Sequence, residues 1–573
     1  MGTTRTRRRA LLAGALSIGL VTTGVAVGSG PATAAGGTLT IDAGSVLRPV
    51  THVGAGGLYG FATDTVPDPA VLQPLRLKQH TQPAPGVQQL GNGATTPTGD
   101  ALKVAPSVTT TGGQQYIRMP DVYPDFPYRW VSWDDWLGKV DEMVDDRLAA
   151  TSTTGIDGWE IWNEPDGTWD TAKAGPYNDG WTRTYRAIRA KDTVTPIIGP
   201  GTTIYNRDFI RSFLENAKAT NTLPDVIVWH ELSQGWRDID EHVADYRAME
   251  RSLGISPRRI SINEYAWTDQ VDVPSAALHY IAQFERTGVH DAERAYWYES
   301  GTMNGLLHQG EPTASYWMYK WYGEMSGNML PVTAAGDLDG IASLDGTRKI
   351  VNGVFGGDYG TNTVRVTGVG SFGSSVKATL SSTPGTGRMT NVAAPTTLST
   401  QTLPVVDGAV SIPVAGMDAT QAYQVVVTPA GGPLTSYQQT YEAENATVVN
   451  AQVLGSSSAS NGSYVGRIDG SADMRSDSYV DFTVEVPTAG SYALGVRYAN
   501  GGAATSTQGL AYNGSPFTML SYPTTGGWGR FANVSTAVTL KAGFNVIRLA
   551  KGSPSFAGGS GFAELDSITV TPR

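Results

Sequence analysis

Between about Gly36 and Leu330 short β-favouring runs alternate with longer amphipathic ones, and this alternation limits the possible folds more than any other feature. Val53–Tyr59, Leu75–Gln79, Tyr116–Met119, Gly158–Asn163, Pro196–Gly199, Asp225–Trp229, Arg259–Asn263 and Arg294–Tyr298 read as strands. Trp133–Ala149, Trp181–Ala190, Asn206–Ala217, Ile239–Leu253 and Ser275–Thr287 read as helices between them. Such repetition over roughly 300 residues predicts a (β/α)8 TIM barrel, whose functional residues sit at the C-terminal ends of its strands. The Gly91–Thr111 stretch, with many Gly, Thr and Pro residues, reads as a loop insertion.

After Pro331 the helical pattern stops. Residues 334–430 hold short β runs such as Thr363–Thr367, Ser375–Leu380 and Gln421–Val427, separated by Gly, Pro and Thr turns. They predict an accessory antiparallel β-sandwich, to which Thr38–Ile41 is a candidate extra strand. Ala430-Gly431-Gly432-Pro433 marks a linker. Residues 437–573 predict a second, C-terminal β-sandwich of jelly-roll type, with strands at Tyr479–Val486, Gly490–Tyr498, Phe544–Leu549 and Leu565–Val570. The expected division is 1–34 signal peptide, 36–333 barrel, 334–430 accessory sandwich and 437–573 C-terminal module.

The first segment carries Arg5 and Arg7 to Arg9, an apolar run from Ala10 to Val27, and Ala32-Thr33-Ala34 as a cleavage site. This predicts secretion, and Thr6-Arg7-Arg8 with Ala10-Leu11-Leu12 is compatible with twin-arginine export. The formal charge of -11 and the 16% of charged residues argue against nucleic acid, which requires clustered basic charge. No membrane is expected as a partner after signal cleavage, and a monomer is expected. Cysteine is absent, so thiolate chemistry and disulfides are excluded.

Within the barrel, Gly158-Trp159-Glu160-Ile161-Trp162-Asn163-Glu164-Pro165 ends a strand in an amide-carboxylate pair followed by proline. Alternation sends Glu160, Trp162 and Glu164 to one side, with Glu164 at the strand's tip. Arg259-Ile260-Ser261-Ile262-Asn263-Glu264-Tyr265 ends the seventh strand in a second glutamate, three βα units of about 33 residues later. Strands four and seven face each other across an eight-stranded barrel, so Glu164 and Glu264 are candidate catalytic residues. Retaining glycoside hydrolysis needs two carboxyls about 5–5.5 Å apart, one a nucleophile and one an acid that then acts as a base. The nucleophile must be ionised and the acid must hold its proton. Glu160, deeper on the same face, reads as a buried structural acid.

Trp162-Asn163-Glu164-Pro165 together with Asn263-Glu264-Tyr265 resembles the retaining clan A glycoside hydrolases, most of all family 39, although families 5, 30 and 51 share the scheme. The resemblance implies Glu164 as acid/base, Glu264 as nucleophile and Asn163 as a partner for the sugar 2-hydroxyl. His230, in Trp229-His230-Glu231, becomes a substrate or nucleophile contact, or else a histidine packed at the barrel top. Trp297 becomes an aromatic platform or a core residue. Tyr265 and Trp267 are candidates to line the cleft, and Arg118 either holds the nucleophile charged or forms a structural ion pair. Family 39 includes β-xylosidases, α-L-iduronidases and enzymes that remove arabinofuranosyl units.

In the last region, Glu442 and Glu444 lie two apart on one strand, and Asp566 joins them if the last strand pairs with the first. Three carboxylates are a candidate calcium site or a solvated charged edge. Tyr441-Glu442-Ala443-Glu444, Ser463-Tyr464-Val465-Gly466, Val496 to Gly502 and Leu565-Asp566 resemble carbohydrate-binding modules of families 35 and 6. That resemblance implies structural Ca2+ at Glu442, Glu444 and Asp566, no cofactor for catalysis, and sugar contacts from Tyr464, Arg497, Asn500 and Trp528. The expected partner is a poly- or oligosaccharide. The expected activity is release of arabinofuranosyl units from arabinan or arabinogalactan side chains. The alternatives are a β-xylosidase, an endo-acting galactanase or xylanase, or a non-catalytic glycan-binding protein.

Overall fold

The computed structural model describes residues 36–86, 98–150, 154–232, 235–295, 298–303, 305–387, 389–434, 438–468, 478–553, 556–557 and 559–573. Eight parallel strands close into a barrel in the chain order Gly56–Leu58, Gln79–Pro83, Gln114–Arg118, Ile156–Glu160, Ile197–Thr202, Val226–Trp229, Arg259–Tyr265 and Asp291–Arg294. Helix Trp133–Ala149 starts where the Ser132 hydroxyl accepts from the Asp135 N–H, and Asp134 and Asp135 favour its first turn. Tyr177–Arg189, Arg207–Ala219 and Ile239–Ser252 bury one face against the barrel, and Pro274–Thr287 is buried between the barrel and the sandwich strands that follow.

Three sequence expectations shift. The second strand is Gln79–Pro83 rather than Leu75–Gln79, because Gln73–Leu75 forms a short 3-10 turn. The eighth is Asp291–Arg294 rather than Arg294–Tyr298. Residues 101–110 of the expected loop insertion form a helix. The Asp100 carboxylate accepts from the Leu102 and Lys103 amides, while Ala101, Val104, Ala105 and Val108 supply a buried stripe.

Interior side chains of the barrel include Tyr116, Ile198, Val226 and Val228. Gly158 lies among them: a Cβ there would come within 2.9 Å of Ile198 and Tyr116. The opening glycine of the Glu164 motif therefore makes room for the Tyr116 ring.

The strand Thr38–Asp42 does not enter the barrel. It pairs in parallel with Gly360–Thr367, inside a four-stranded sheet completed by Val332–Thr333 and Val410–Met417. A seven-stranded sheet packs against it, and Leu39, Ile41, Val364 and Ile412 share a core with Val351, Phe355, Val376 and Val425. The C-terminal region is a second sandwich, with Gln439–Glu442 paired to Glu564–Pro572 on one sheet and Tyr479–Val486 paired to Gly543–Ala550 on the other. It packs on the N-terminal face of the barrel, opposite the strand ends that carry Glu164 and Glu264. Arg76 pairs with Glu485 and lies over the Phe544 ring at 5.2 Å, and Gly112 abuts Thr483. A cavity of about 540 Å³ remains between the two parts. No helix among the described residues is long and apolar enough to cross a membrane.

Gly158→Val is expected to lower the unfolding free energy by about 1–3 kcal/mol, because the barrel interior cannot yield around an inserted side chain. Urea unfolding followed by tryptophan fluorescence measures it.

Candidate active site

The fourth strand ends at Glu160, not at Asn163, and the chain then turns. Trp162 is buried in an aromatic box, with Tyr128, Trp136 and Trp169 ring centroids 5.3, 5.2 and 4.8 Å away. Its indole N–H donates to Thr168 Oγ1 at 2.9 Å, and the Thr168 hydroxyl donates to the Asn163 carbonyl at 2.7 Å. Glu164 follows in the left-handed region (φ 54°, ψ 50°) and opens the short helix Pro165–Thr168. Its amide donates to the Gly201 carbonyl at 2.8 Å. Strand alternation therefore does not aim Glu164. A left-handed turn held by the tryptophan box does, at a backbone cost of about 1–3 kcal/mol.

Glu264 lies within the seventh strand, and its Oε1 accepts from Arg118 Nη1 at 2.6 Å. Arg118, 1% exposed, also donates through Nε to Glu160 Oε2 at 2.7 Å. Asn263 Nδ2 donates to Glu160 Oε1 at 2.7 Å. Thus Glu160 is the buried partner that fixes the guanidinium, and Arg118 carries its charge to Glu264. His230 completes the group: Nδ1 is 3.2 Å from Glu164 Oε1 and Nε2 is 3.7 Å from Glu264 Oε1. One oxygen of each glutamate and one His230 nitrogen lie within 4.8 Å of one another. Among the described residues no other set of three metal-capable side chains comes this close, and here the Arg118 guanidinium already supplies a cation.

The electrostatics differ from the simplest expectation for an acid. Burial raises the Glu164 carboxyl, but the His230 hydrogen bond and charge outweigh it and hold the group below its ordinary range. Burial disfavours a charged His230, yet the Glu264 charge and the contact with Glu164 hold the imidazole above its ordinary range. In the free site the proton thus rests on the imidazole side of the pair. Asn163 is 3% exposed and its Oδ1 has no hydrogen-bond partner, leaving an acceptor beside Glu164 for a hydroxyl.

Other expectations are corrected. Tyr265 does not line the mouth: its hydroxyl donates to the Gly54 carbonyl and meets that of Tyr319, and its ring packs on Tyr280 and Phe284. Trp267 is 39% exposed just beyond the seventh strand. Trp297 lies outside the described residues. Tyr59, Asp121 and Tyr128, which the sequence did not single out, form a buried network beside Arg118, and no motif marks them.

In the C-terminal sandwich, Asn500 is wholly internal, donating to the Ala504 and Tyr522 carbonyls at 2.9 Å each, so loop closure uses up its amide. Arg497 pairs with the buried Asp566, donates to the Ser458 carbonyl at 3.1 Å and lies over Phe531, so its charge is engaged internally. Tyr464 is half-buried against Phe531. Trp528 is 49% exposed and borders a hollow with Leu454, Arg467, Phe562 and Glu564. Ser460 Oγ bridges Glu442 and Asp566 at 2.5 and 2.8 Å, and Asn461 Nδ2 donates to Glu444 Oε1 at 3.0 Å. Glu444 Oε2 is buried with no hydrogen-bond partner, and its carboxyl is raised to about 7 by burial and by Glu442 and Asp566. The orphaned oxygen is the donor type a hard cation takes, although these three acids are less closely gathered than Glu164, His230 and Glu264, and Arg497 occupies one side of Asp566.

An eight-stranded barrel with Asn-Glu after strand four and a glutamate on strand seven, joined by a histidine from strand six, defines a clan A glycosidase. The chain belongs to the clan A glycoside hydrolases. No family model matches the chain. Two curated relatives are 28% identical to it. They are the 3-O-α-D-galactosyl-α-L-arabinofuranosidase of Bifidobacterium longum subsp. longum, over 80% of this chain and 47% of that protein, and the 3-O-β-L-arabinopyranosyl-α-L-arabinofuranosidase of Bifidobacterium pseudocatenulatum, over 68% and 47%. The chain spans about half the length of these relatives. Among solved structures, N2152 from Neocallimastix frontalis matches with TM-score 0.64 and 31% identity, over 69% of this chain and 99% of that one. The GH39 enzyme from Xanthomonas axonopodis pv. citri, at TM-score 0.51 and 16% identity over 70% and 100%, is similar in fold.

Glu164, lowered from 4.5, adds stability above that value and loses it as pH falls through its lowered pKa. His230, raised from 6.5, adds stability below that value and loses it as pH rises through its raised pKa. Both contributions coexist between 4.5 and 6.5. The stability lost in His230→Gln is therefore expected to be largest in that window. Urea unfolding of both proteins across pH checks it, and a loss of equal size at every pH would contradict the pairing.

Proposed function

We propose that the protein is a secreted, retaining glycoside hydrolase that releases arabinofuranosyl units from arabinan or arabinogalactan side chains. The observation that carries the reaction type is the approach of Glu164 and Glu264 to within 4.8 Å around His230, with Arg118 on Glu264. So close an approach suits retention, whereas inversion uses carboxyls about 6.5–9.5 Å apart to seat a water. Glu264, kept anionic by Arg118, attacks the anomeric carbon, and the glycosidic C–O bond breaks as Glu164 delivers a proton to the departing oxygen. Glu164 then takes a proton from water, whose oxygen displaces Glu264 from the anomeric carbon. A sugar seated over Glu164 excludes water, which raises its carboxyl and draws the proton from His230 toward it. Arabinofuranosyl specificity is supported by what the two Bifidobacterium relatives are named for.

The C-terminal sandwich is read as a carbohydrate-binding module, from its motifs and the exposed Trp528, a flat apolar face suited to a sugar ring. Calcium would be held by Glu442, Glu444 and Asp566 and would tie the first and last strands of the module together. Secretion rests on the N-terminal segment, which lies outside the described residues.

Glu264→Ala is expected to reduce hydrolysis of aryl α-L-arabinofuranoside by about 10⁴-fold or more while glycan binding by the module persists. Turnover within about tenfold of wild type would overturn the assignment, and NMR of the first-formed anomer is expected to report retention. Chelation is expected to lower the melting temperature of the full chain without changing kcat, as read by calorimetry with and without added calcium.

A further inference from the structure

Asp121 is a fully buried carboxylate that the hydrolytic reading leaves unused. Asp121 sits in the short turn Met119–Val122 after the third strand. Its Oδ2 accepts from the Tyr59 hydroxyl at 2.5 Å and its Oδ1 from the Tyr128 hydroxyl at 2.9 Å. Each tyrosine leads to a different glutamate.

Tyr59 has a left-handed backbone (φ 49°), and Arg118 Nη1 lies 3.5 Å from its hydroxyl. The guanidinium also sits 5.7 Å from the Tyr59 ring centre. That same Nη1 donates to Glu264. On the other side, the Tyr128 ring meets Trp162 edge to face at 5.3 Å. Trp162 holds Thr168, and Thr168 holds the Asn163 carbonyl at the turn that presents Glu164.

We propose that Asp121 is a positioning residue that seats both glutamates at once, Glu264 through Tyr59 and Arg118, and Glu164 through Tyr128 and Trp162. The proposal rests on the reading of Glu164 and Glu264 as the hydrolytic pair. The groups facing Asp121 are Tyr59, Tyr128, Arg118 and Glu160. Burial lifts the Asp121 carboxyl to about 7, against the pull of Arg118 and the two hydroxyls. When it takes a proton, one of its oxygens becomes a donor, and a tyrosine hydroxyl that donated to that oxygen must turn away. The seating of the pair is thereby tied to a titration near neutrality.

The test uses the full chain and the variants Asp121→Asn, Tyr59→Phe, Tyr128→Phe and Asp121→Asn/Tyr59→Phe. Two quantities are measured: kcat and KM across pH on the aryl glycoside that the wild type cleaves, and the His230 titration by NMR, which needs no turnover. Each single variant is expected to lose about 10- to 100-fold in kcat. KM should stay within about twofold, as for a contact that acts on the transition state. The double variant should lose no more than its worse single, because the two residues act as one unit. The His230 midpoint should move in Asp121→Asn and Tyr59→Phe. Unchanged kcat with an unmoved midpoint, or losses that multiply in the double variant, would overturn the proposal. If the wild type cleaves no glycoside, the hydrolytic reading fails, and the His230 midpoint alone then decides on Asp121. The two Phe variants, each losing a single oxygen, keep the test decisive where Asp121→Asn does not fold.

Discussion

The site depends on one buried guanidinium. Arg118 is taken out of water together with Glu160, and it reaches Glu264 with its remaining fork. Desolvating an ion costs several kcal/mol, so such a cation persists only where every donor meets an acceptor in good geometry. Glu160 supplies that geometry, itself fixed by Asn263, and its position on the fourth strand pins Arg118 on the third. Glu160 and Glu264 share one guanidinium and Glu164 lies beside them, so negative charge is in excess. His230 answers it from the sixth strand by holding a proton between Glu164 and Glu264. The two glutamates are therefore aligned by the cations of Arg118 and His230, which offset part of the negative charge at the barrel mouth.

The second constraint is steric. Glu164 occupies a backbone region that bulky L-residues avoid, and the surrounding structure must make that conformation the only one available. Trp162 fills the centre of a box that also contains Trp130, Trp136, Trp169 and Tyr128. Large rings packed edge to face confine the turn, and the Gly201 carbonyl accepts from the Glu164 amide. The indoles of the motif thus act as scaffold for the glutamate that follows them.

Glu164, Glu264, Arg118 and His230 were legible in the sequence because each lies at or near the end of a barrel strand, where spacing alone brings them to one mouth. The sandwich strands were legible because their burial alternates, as in Gly490–Ala499. Gln79–Pro83 and Asp291–Arg294 were not, since both are buried while rich in polar residues, and hydrophobic patterning cannot find such strands. Thr81 donates to Glu293 and Gln82 to the Gly99 carbonyl, so part of their polarity is met by residues outside the local pattern. Tyr265 was misplaced because the strand carries Glu264 to the mouth and sends the next ring into the helical layer. Asn500 was misread because a loop asparagine that closes its own loop looks, in sequence, like one that greets a ligand. The Tyr59–Asp121 pair joins residues far apart in the chain, and neither residue stands in a recognisable pattern.

The proton on His230 changes how the acid works. A carboxyl that is permanently protonated would need an apolar pocket of its own, as burial alone provides in other sites. Glu164 is instead held below its ordinary range, its Oε1 3.2 Å from Nδ1 of an imidazole that Glu264 also favours in its charged form. In the proposed reaction, attack by Glu264 on a sugar consumes its negative charge, and the electrostatic reason for the imidazole to stay charged falls with it. On that proposal the proton moves toward Glu164 as the leaving oxygen gains electron density, which is when an acid is needed. Under the proposed roles, coupling the charge of Glu264 to the protonation of Glu164 through one histidine lets two similar carboxylates act oppositely without separate environments.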